Sequence, residues 1–209
     1  TVAYSDFRLA QKNRAGVVYL GANDGMLHGF RESDGREVLA YMPESLFSTT
    51  VNEGMHYLTD PAYGHRYYVD LRPSVTDVFA KTTATGTAAW NTVLVGGLRG
   101  GGRGLFALDV TDPTAYAETS TAAANTVMWE FSSADDADLG HTFSAPSIVP
   151  MPNGKWAVIF GNGYNDTGSG EAQLFILYLE GGLDGTWSST DYVKISTGVG
   201  NTTTRNGLS

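Results

Sequence analysis

The chain of 209 residues contains no cysteine, and this absence excludes disulfide bonds and thiolate chemistry. It also removes the commonest ligands of structural zinc sites. Basic residues are scarce as well: 13 Lys and Arg stand against 22 Asp and Glu, which gives a formal net charge of −9. An acidic surface of this kind repels phosphate backbones, so we expect no nucleic-acid partner.

Long apolar runs are also missing. No stretch approaches the roughly 20 consecutive apolar residues that span a bilayer, and no basic amphipathic face is present. We therefore expect no direct insertion into a membrane. The first residues, Thr1 to Ser5, lack the charged and apolar regions of a signal peptide, so we expect the numbering to begin inside a mature or trimmed protein.

Glycine is abundant, with 26 residues, and much of it lies between short runs of Val, Ile, Leu, Phe and Tyr. This distribution predicts strands that are joined by tight turns. The first unit has candidate strands at 16–21, 26–30 and 36–41. Between the first two lies Asn23-Asp24-Gly25, a sequence typical of a hairpin turn, because these residues tolerate positive φ.

Two further units each show four candidate strands, and Pro-Ser opens both of them at equivalent points. The strands are 72–78, 90–97, 104–110 and 127–131 in the second unit, and 145–149, 155–161, 172–178 and 192–195 in the third. Repeated antiparallel units of four strands are typical of β-propeller blades. We predict an all-β fold, a modified β-propeller arc of about three four-stranded blades in one domain over residues 1–209.

Three stretches do not follow the strand pattern. Residues 43–50 begin with Pro43 and mix polar with apolar side chains, which predicts one short helix. Residues 81–89 and 114–126 are rich in Thr and Ala and are predicted to be loops, although the Ala content of the second permits a helical turn.

Five segments carry distinctive residues in a fixed order along the chain. They are 21–30 (GANDGMLHGF), 67–75 (YYVDLRPSV), 94–113 (LVGGLRGGGRGLFALDVTDP), 139–144 (LGHTFS) and 154–165 (GKWAVIFGNGYN). In this order they resemble the PilY/PilC family of type IV pilus tip-associated adhesin and biogenesis factors. The resemblance implies a propeller in the carboxy-terminal half of a large exported protein of the bacterial cell surface, outer membrane or pilus tip.

The resemblance also implies a function. Family members promote pilus assembly together with the minor pilins and contact host or abiotic surfaces, so we expect a non-enzymatic interaction domain. The sequence shows no nucleophile–base–orienter set, which agrees with this interpretation. The alternative is a quinoprotein-like propeller enzyme with a redox cofactor, because similarity of fold alone does not separate the two.

The resemblance further implies calcium in the full-length propeller, in a loop that we expect to follow Ser209; no cofactor is expected in the segment itself. Within the chain, the oxygen-rich loop 162–171 contains two acids, Asp166 and Glu171. Calcium prefers six to eight oxygen ligands, so this loop is a weak alternative metal site. The competing interpretation is a solvated hairpin loop.

Two loops are candidates for partner contact, because loops on a rigid scaffold carry function more often than strands do. They are 96–104 and 162–171. The candidate side chains are Arg99, Arg103, Asn165 and Asp166. Loop 96–104 is rich in glycine but lacks the Gly-Lys-Ser/Thr ending of a phosphate-binding loop, and no helix pattern follows it, so no nucleotide site is predicted.

Overall fold

The computed structural model describes residues 2–209, which form three antiparallel sheets and two short α-helices. The helices are α1 (Tyr4–Ala10) and α2 (Ser120–Thr126). The strands are β1 (Val17–Gly21), β2 (Leu27–Arg31), β3 (Glu37–Tyr41), β4 (Ser74–Ala80), β5 (Ala89–Gly97), β6 (Gly104–Asp109), β7 (Val127–Ser132), β8 (Ser147–Pro150), β9 (Trp156–Gly161), β10 (Glu171–Tyr178) and β11 (Tyr192–Gly200). Within this part of the chain, neither helix has the length and apolar character that crossing a membrane requires.

Each sheet is a meander in which strands that follow one another in sequence are neighbours in space. The orders are β1-β2-β3, β4-β5-β6-β7 and β8-β9-β10-β11. We call these sheets blade 1, blade 2 and blade 3. The predicted all-β arc of antiparallel blades is thereby confirmed.

Blade 1 has three strands, which correspond to the three candidate strands of the first unit, and so lacks one of the four strands of a complete blade. Its first strand corresponds to the second strand of the other blades, because β1, β5 and β9 each end on the glycine that precedes a loop: Gly21, Gly97 and Gly161. The residues just before β1 form α1 and a 3₁₀ turn instead of a strand. The unfilled position of blade 1 is therefore beside β1.

Helix α1 was not predicted, and tertiary contacts hold it in place. Phe7 is buried, and the ring centroid of Tyr4 lies 4.5 Å from that of Trp90 on β5. The Tyr4 hydroxyl donates a hydrogen bond to Asp77 on β4 at 2.9 Å. Because a helix of this length is marginal alone, packing against blade 2 is what stabilises it.

The short helix predicted at 43–50 is a single 3₁₀ turn, Glu44–Leu46. The carboxylate of Glu130 on β7 holds the turn, since it accepts hydrogen bonds from the Tyr41 hydroxyl and the Glu44 amide. Of the two predicted loops, 114–126 contains α2 in its last part, consistent with the Ala content noted above.

The core lies between neighbouring blades. Between blades 2 and 3, three buried aromatic rings contact one another: Phe131 and Phe160 both pack on Phe175, with centroid distances of 5.9 and 5.5 Å. Between blades 1 and 2, the buried cluster includes Leu27 and Phe106. Each such side chain contributes about 1.5–3 kcal/mol on burial, so the stacked blades hold their connecting loops on a rigid base.

Candidate interaction surface on the loop face

Residues 139–144, which join β7 to β8, lie between the two loops selected as candidate partner sites. On one side, the Arg99 amide donates to Oγ1 of Thr142 at 3.0 Å. The Thr142 hydroxyl in turn donates to the carbonyl of Gly104 at 3.2 Å. Thr142 is buried, so these bonds fix the base of loop 96–104.

On the other side, His141 and Tyr164 form an isolated antiparallel β-bridge, in which the His141 amide donates to the Tyr164 carbonyl at 2.7 Å. Gly163 lies directly beneath this bridge with φ of 72°, and a Cβ at this position would lie 1.7 Å from the His141 carbonyl oxygen. Only glycine fits there. Loops 96–104, 139–144 and 162–171 therefore form one continuous surface, which we call the loop face.

An aromatic and cationic patch is exposed at the centre of the loop face. The Arg99 guanidinium lies 5.2 Å from the ring centroid of Phe143, and Phe143 meets Tyr164 edge-on at 5.7 Å. Phe143 is 37% exposed and Tyr164 is 44% exposed. Exposed cation–π contacts contribute about 0.5–1 kcal/mol, so the patch is ordered while its rings still face solvent. Arg99 also donates to Asp70 at 3.2 Å.

The backbone of the loop face is held in an uncommon conformation. Among residues 2–209, three non-glycine residues have positive φ, and two of them are Arg99 at 50° and Asn165 at 60°. A left-handed conformation costs a non-glycine residue about 1–2 kcal/mol and persists only where the surroundings impose it. Both candidate loops therefore have a fixed shape, and both Arg99 and Asn165 are exposed, which a partner contact requires.

Asp166 is placed differently. Its side chain is 0% exposed, and Nη1 of Arg205 donates to its Oδ1 at 3.0 Å and to its carbonyl at 2.8 Å. The Glu171 carboxylate accepts from the Ser196 hydroxyl instead. Because the two acids bind different groups, they do not form a common set of metal ligands. No cluster of three acidic or histidine side chains suited to a metal occurs in the part of the chain described.

Loop 162–171 joins the antiparallel strands β9 and β10, so the predicted hairpin is present, but the loop is only partly solvated. Asn162 is completely buried. Its Nδ2 donates to the carbonyls of Asp138 and Glu171, each at 3.0 Å, and its Oδ1 accepts from the amides of Gln173 and Leu208 at 2.9 and 3.1 Å. All the hydrogen-bonding capacity of the amide group is used within the protein, which explains why a polar side chain can be buried here.

A lysine bridge, missed by the sequence analysis, locks the same loop to β11. Nζ of Lys194 lies 2.9 Å from Oδ2 of Asp136 and 2.6 Å from Oδ2 of Asp138. Asp138 also accepts the Ser169 amide at 2.6 Å. Burial opposes ionisation of Asp138, but the bonds from Lys194 and Ser169 hold its pKa well below the usual value of 3.8.

Arg103 belongs to loop 96–104 but is less exposed than Arg99. It is half-buried, and its carbonyl accepts the Ser133 amide at 3.1 Å. Its Nε is buried and has no hydrogen-bond partner among residues 2–209. The structure therefore presents Arg99 and Asn165 on the loop face as exposed groups and leaves Arg103 partly buried.

The turn at Asn23-Asp24-Gly25 is confirmed. Gly25 has φ of 95°, and Oδ1 of Asp24 accepts the Met26 amide at 3.1 Å. In addition, Oδ1 of Asn23 accepts the amide of Tyr68 at 3.1 Å, which ties the turn to the segment before β4. Asp24 also binds His28, a contact that the turn sequence did not indicate.

Comparison with known proteins agrees with the fold. The whole chain, residues 1–209, matches the family described as the PilY1 beta-propeller domain. A crystal structure of the Pseudomonas aeruginosa PilY1 C-terminal domain superposes with a TM-score of 0.69 at 40% identity, covering 99% of this chain and 35% of that one.

Curated relatives give the same result. The type IV pilus biogenesis factor PilY1 of Pseudomonas aeruginosa is 46% identical over 182 residues, covering 86% of this chain and 14% of its own length. A PilY1 homolog of Xylella fastidiosa is 42% identical over 182 residues, covering 86% of this chain and 11% of its own length. The chain thus spans about a seventh of the first relative. On these grounds it belongs to the PilY1 β-propeller domain family, which is associated with type IV pilus biogenesis.

Proposed function

We propose that the chain is a non-enzymatic interaction domain of a type IV pilus assembly factor and tip-associated adhesin. Its loop face binds minor pilins or a surface ligand, and the protein acts at the cell surface or pilus tip. The observation that carries the proposal is the exposed patch of Arg99, Phe143 and Tyr164 on a backbone of fixed shape. Membership of a family whose relatives are named pilus biogenesis factors supports the pilus association.

The chemistry of the patch suits protein recognition. Arg and Tyr are enriched among the residues that dominate binding energy at interfaces, and aromatic rings supply large contact areas with few rotatable bonds. Because Arg99 is already held by Asp70 and by the Thr142 hydroxyl at its amide, little conformational freedom is lost on binding. Asn165, exposed on the adjacent loop, adds amide groups that can donate and accept hydrogen bonds.

The names of the relatives also favour a role without catalysis, since they describe biogenesis factors and not oxidoreductases. The quinoprotein-like alternative makes a separate prediction. An enzyme of that type would contain a stoichiometric redox cofactor that absorbs visible light, so the absorbance spectrum and native mass of the purified full-length protein test it directly.

The proposal is tested in the source bacterium. The parent gene is deleted and complemented with the wild-type gene, with Arg99→Ala and with Phe143→Ala, and surface pili are counted. Matched controls are Arg8→Ala on α1 and Phe47→Ala, since Arg8 and Phe47 are exposed and lie outside the loop face. We expect the wild type and both controls to restore pili and the loop-face variants to fail.

Binding is measured in parallel with purified full-length protein and purified minor-pilin ectodomains. A loop-face variant that is folded, expressed and exported normally should bind more weakly by about ten-fold or more. Full restoration of pili together with unchanged binding by both loop-face variants would show that the loop face is not the contact surface. Pili that are unaffected by deletion of the gene would contradict the role in assembly itself.

A further inference from the structure

An open cleft of about 1000 Å³ lies between blade 1 and the segment that joins β6 to β7. Its first wall is formed by β3, by Arg31 of β2, and by Val17 of β1 with the preceding Ala15, so it extends across blade 1. Its second wall is formed by residues 113–127, including α2. None of the loop-face residues lines this cleft, so it is a separate feature of the molecule. Its volume is in the range of established ligand sites, about 300–1000 Å³.

The cleft lies over blade 1 and includes the free edge of β3. Six consecutive residues, 36–41, line it. One face of a strand would contribute only every second residue, since side chains alternate between the two faces. β3 is the last strand in the order β1-β2-β3 and therefore has a neighbouring strand on one side only.

The alternation of hydrogen-bonded and non-hydrogen-bonded residue pairs in blade 1 determines which backbone groups of β3 point into the cleft. The amide of Ala22 donates to the carbonyl of Met26 at 2.9 Å, and the amide of Glu32 donates to that of Gly16 at 2.8 Å. Hydrogen-bonded pairs of β1 and β2 are therefore at even-numbered residues, because such pairs alternate along an antiparallel ladder. The odd-numbered residues of β2 consequently direct their N–H and C=O groups toward β3.

The backbone N–H and C=O groups of Ala40 point away from β2, opposite to those of its neighbours in β3. Leu39 and Tyr41 pair with odd-numbered residues of β2, namely Gly29 and Leu27, and so bond to that strand. Ala40 lies between them and directs its N–H and C=O groups away from β2, into the cleft. Within residues 2–209, its amide makes no hydrogen bond outside the sheet ladder. An unpaired edge of this kind is a template for another strand.

The blade itself does not need a strand at this edge. β3 corresponds to β7 and β11, the last strands of blades 2 and 3, whereas the unfilled position of blade 1 is beside β1. A strand that completed blade 1 in the pattern of the other blades would therefore pair with β1. A strand that paired with β3 would therefore be an addition to the pattern of blades 2 and 3.

The side chains that line the cleft determine which peptide could lie beside β3. The Tyr116 hydroxyl lies 2.7 Å from that of Tyr19, which fixes the second wall against blade 1. Leu39, Tyr41 and Val127 form an apolar and aromatic part of the lining, which also contains the charged residues Arg31, Arg36, Glu37 and Glu118. An extended peptide beside β3 would alternate, with apolar side chains next to the apolar part of the lining and polar side chains toward solvent.

We propose that this cleft binds an extended peptide strand of a partner polypeptide, which pairs with the free edge of β3. The backbone groups of Ala40 supply hydrogen bonds, and the mixed lining, apolar at Leu39, Tyr41 and Val127, selects a peptide that alternates apolar and polar residues. This is a second binding surface, independent of the loop face and of its proposed function.

The test uses the purified full-length protein and a phage library that displays random eight-residue peptides. Ala40→Pro removes the outward N–H and is compatible with an edge strand, where proline is tolerated. Ala40→Val is the matched control, because it retains the N–H at the same exposed position. We expect selected peptides to alternate apolar and polar residues, to bind wild type and Ala40→Val alike, and to bind Ala40→Pro about ten-fold more weakly.

Hydrogen exchange and a second variant test the proposal independently of the Ala40→Pro result. Hydrogen exchange should be fast at the Ala40 amide in the free protein and slow when a selected peptide is bound. Ala123→Trp fills the cleft from α2 without altering β3, so it should weaken the same peptides even if Ala40→Pro folds poorly. Equal binding by a folded Ala40→Pro variant and by Ala123→Trp would overturn the proposal. Protection of the Ala40 amide in the free full-length protein would also overturn it, since the strand would then come from the same polypeptide.

Discussion

The guanidinium of Arg205 binds the carboxylate of Asp166 across 39 residues of sequence. Nη1 of Arg205 also donates to the backbone carbonyl of Asp166, and the Gly170 amide donates to Oδ1 of the same carboxylate at 3.0 Å. The carboxylate is fully buried, whereas Arg205 is 36% exposed. The pair therefore fastens the C-terminal segment to loop 162–171 and supplies the charge that makes burial of Asp166 tolerable.

Arg205→Ala should destabilise the protein because it leaves Asp166 buried without its counter-charge. Removing one partner of a fully buried pair costs about 3–5 kcal/mol. Since Arg205 is partly exposed, water can approach the vacated position, and we expect a loss of about 1–3 kcal/mol. Urea unfolding monitored by circular dichroism measures it. Arg72→Ala is the control, as Arg72 is exposed, and it should change stability by less than about 0.5 kcal/mol. Equal stability of the two variants would refute this account of the pair.

Lys194→Met should also lower stability at neutral pH, since two carboxylates, Asp136 and Asp138, share this single ammonium group. The pKa of Asp138 is lowered in the folded protein, so its contribution is fully present above about 3.8 and is lost as pH falls through the lowered folded value. In the wild type, the free energy of unfolding should therefore fall steeply below pH 4, and in Lys194→Met this fall should be smaller.

The control for the lysine bridge is Lys12→Met, because Lys12 is exposed on a 3₁₀ turn near α1. It should reproduce the acid dependence of the wild type. If the wild type and Lys194→Met lost stability in parallel as pH falls, the lysine bridge would not be the cause of the acid dependence.

The same bridge region contains Tyr192, whose hydroxyl donates to Asp136 at 2.7 Å. Burial and this bond to a carboxylate raise the pKa of Tyr192 to about 12, so its ultraviolet titration should show no ionisation at pH 10.

The central strands could be predicted from the sequence because local pattern determines them. β5, β6, β9 and β10 are short apolar runs bounded by glycine turns, and the structure places them within a few residues of the predicted limits. The side chains of β5 and β6 are mostly buried, and Val158, Phe160, Phe175 and Leu177 of β9 and β10 are buried in the core shared with blade 2. Tertiary packing and local pattern therefore favour the same structure. The turn at 23–25 was predictable for the same reason.

The elements that sequence reasoning missed depend on distant residues. Helix α1 is stabilised by Trp90 and Asp77, which lie more than 70 residues away. Loop 162–171 was interpreted as solvated because it is rich in Asn, Asp, Ser and Gly. Burial of Asn162 is possible only because its partners come from three separate segments, and no local spacing reports such contacts.

His28 makes stability depend on pH near neutrality. Its two ring nitrogens bind the carboxylates of Asp24 and Glu37. Burial alone would lower the pKa of His28, but the hydrogen bonds to Glu37 and Asp24 and their charges outweigh it and raise the pKa above 6.5. The resulting stability is fully present below pH 6.5 and is lost as pH rises through the raised folded value.

Unfolding free energies of wild type and His28→Gln, measured from pH 5 to pH 9, test this relationship. The wild type should lose about 0.2–1 kcal/mol relative to the variant as pH rises, since both carboxylates are about half exposed. A difference that stays constant over this range would show that His28 remains neutral or contributes only by packing.

Gly163→Ala should lower the free energy of unfolding by more than the strain of a positive φ alone would. Gly163 and Gly185 have similar φ values, 72° and 82°, but an added Cβ meets the His141 carbonyl at Gly163 and finds no atom within 4 Å at Gly185. Gly185→Ala should therefore cost about 1–2 kcal/mol from backbone strain alone. Gly163→Ala must in addition displace the bridge between His141 and Tyr164, so we expect at least about 2 kcal/mol more.

The same comparison connects the fold to the loop face. If the bridge positions the patch, Gly163→Ala protein that is still folded should show faster hydrogen exchange at the His141 amide and weaker binding of whatever partner contacts Phe143 and Tyr164. Gly185→Ala, remote from the bridge, should change neither property. Equal losses of stability in the two variants would mean that loop 139–144 adjusts freely to a Cβ, and the loop face would then lack the rigidity on which its proposed binding depends.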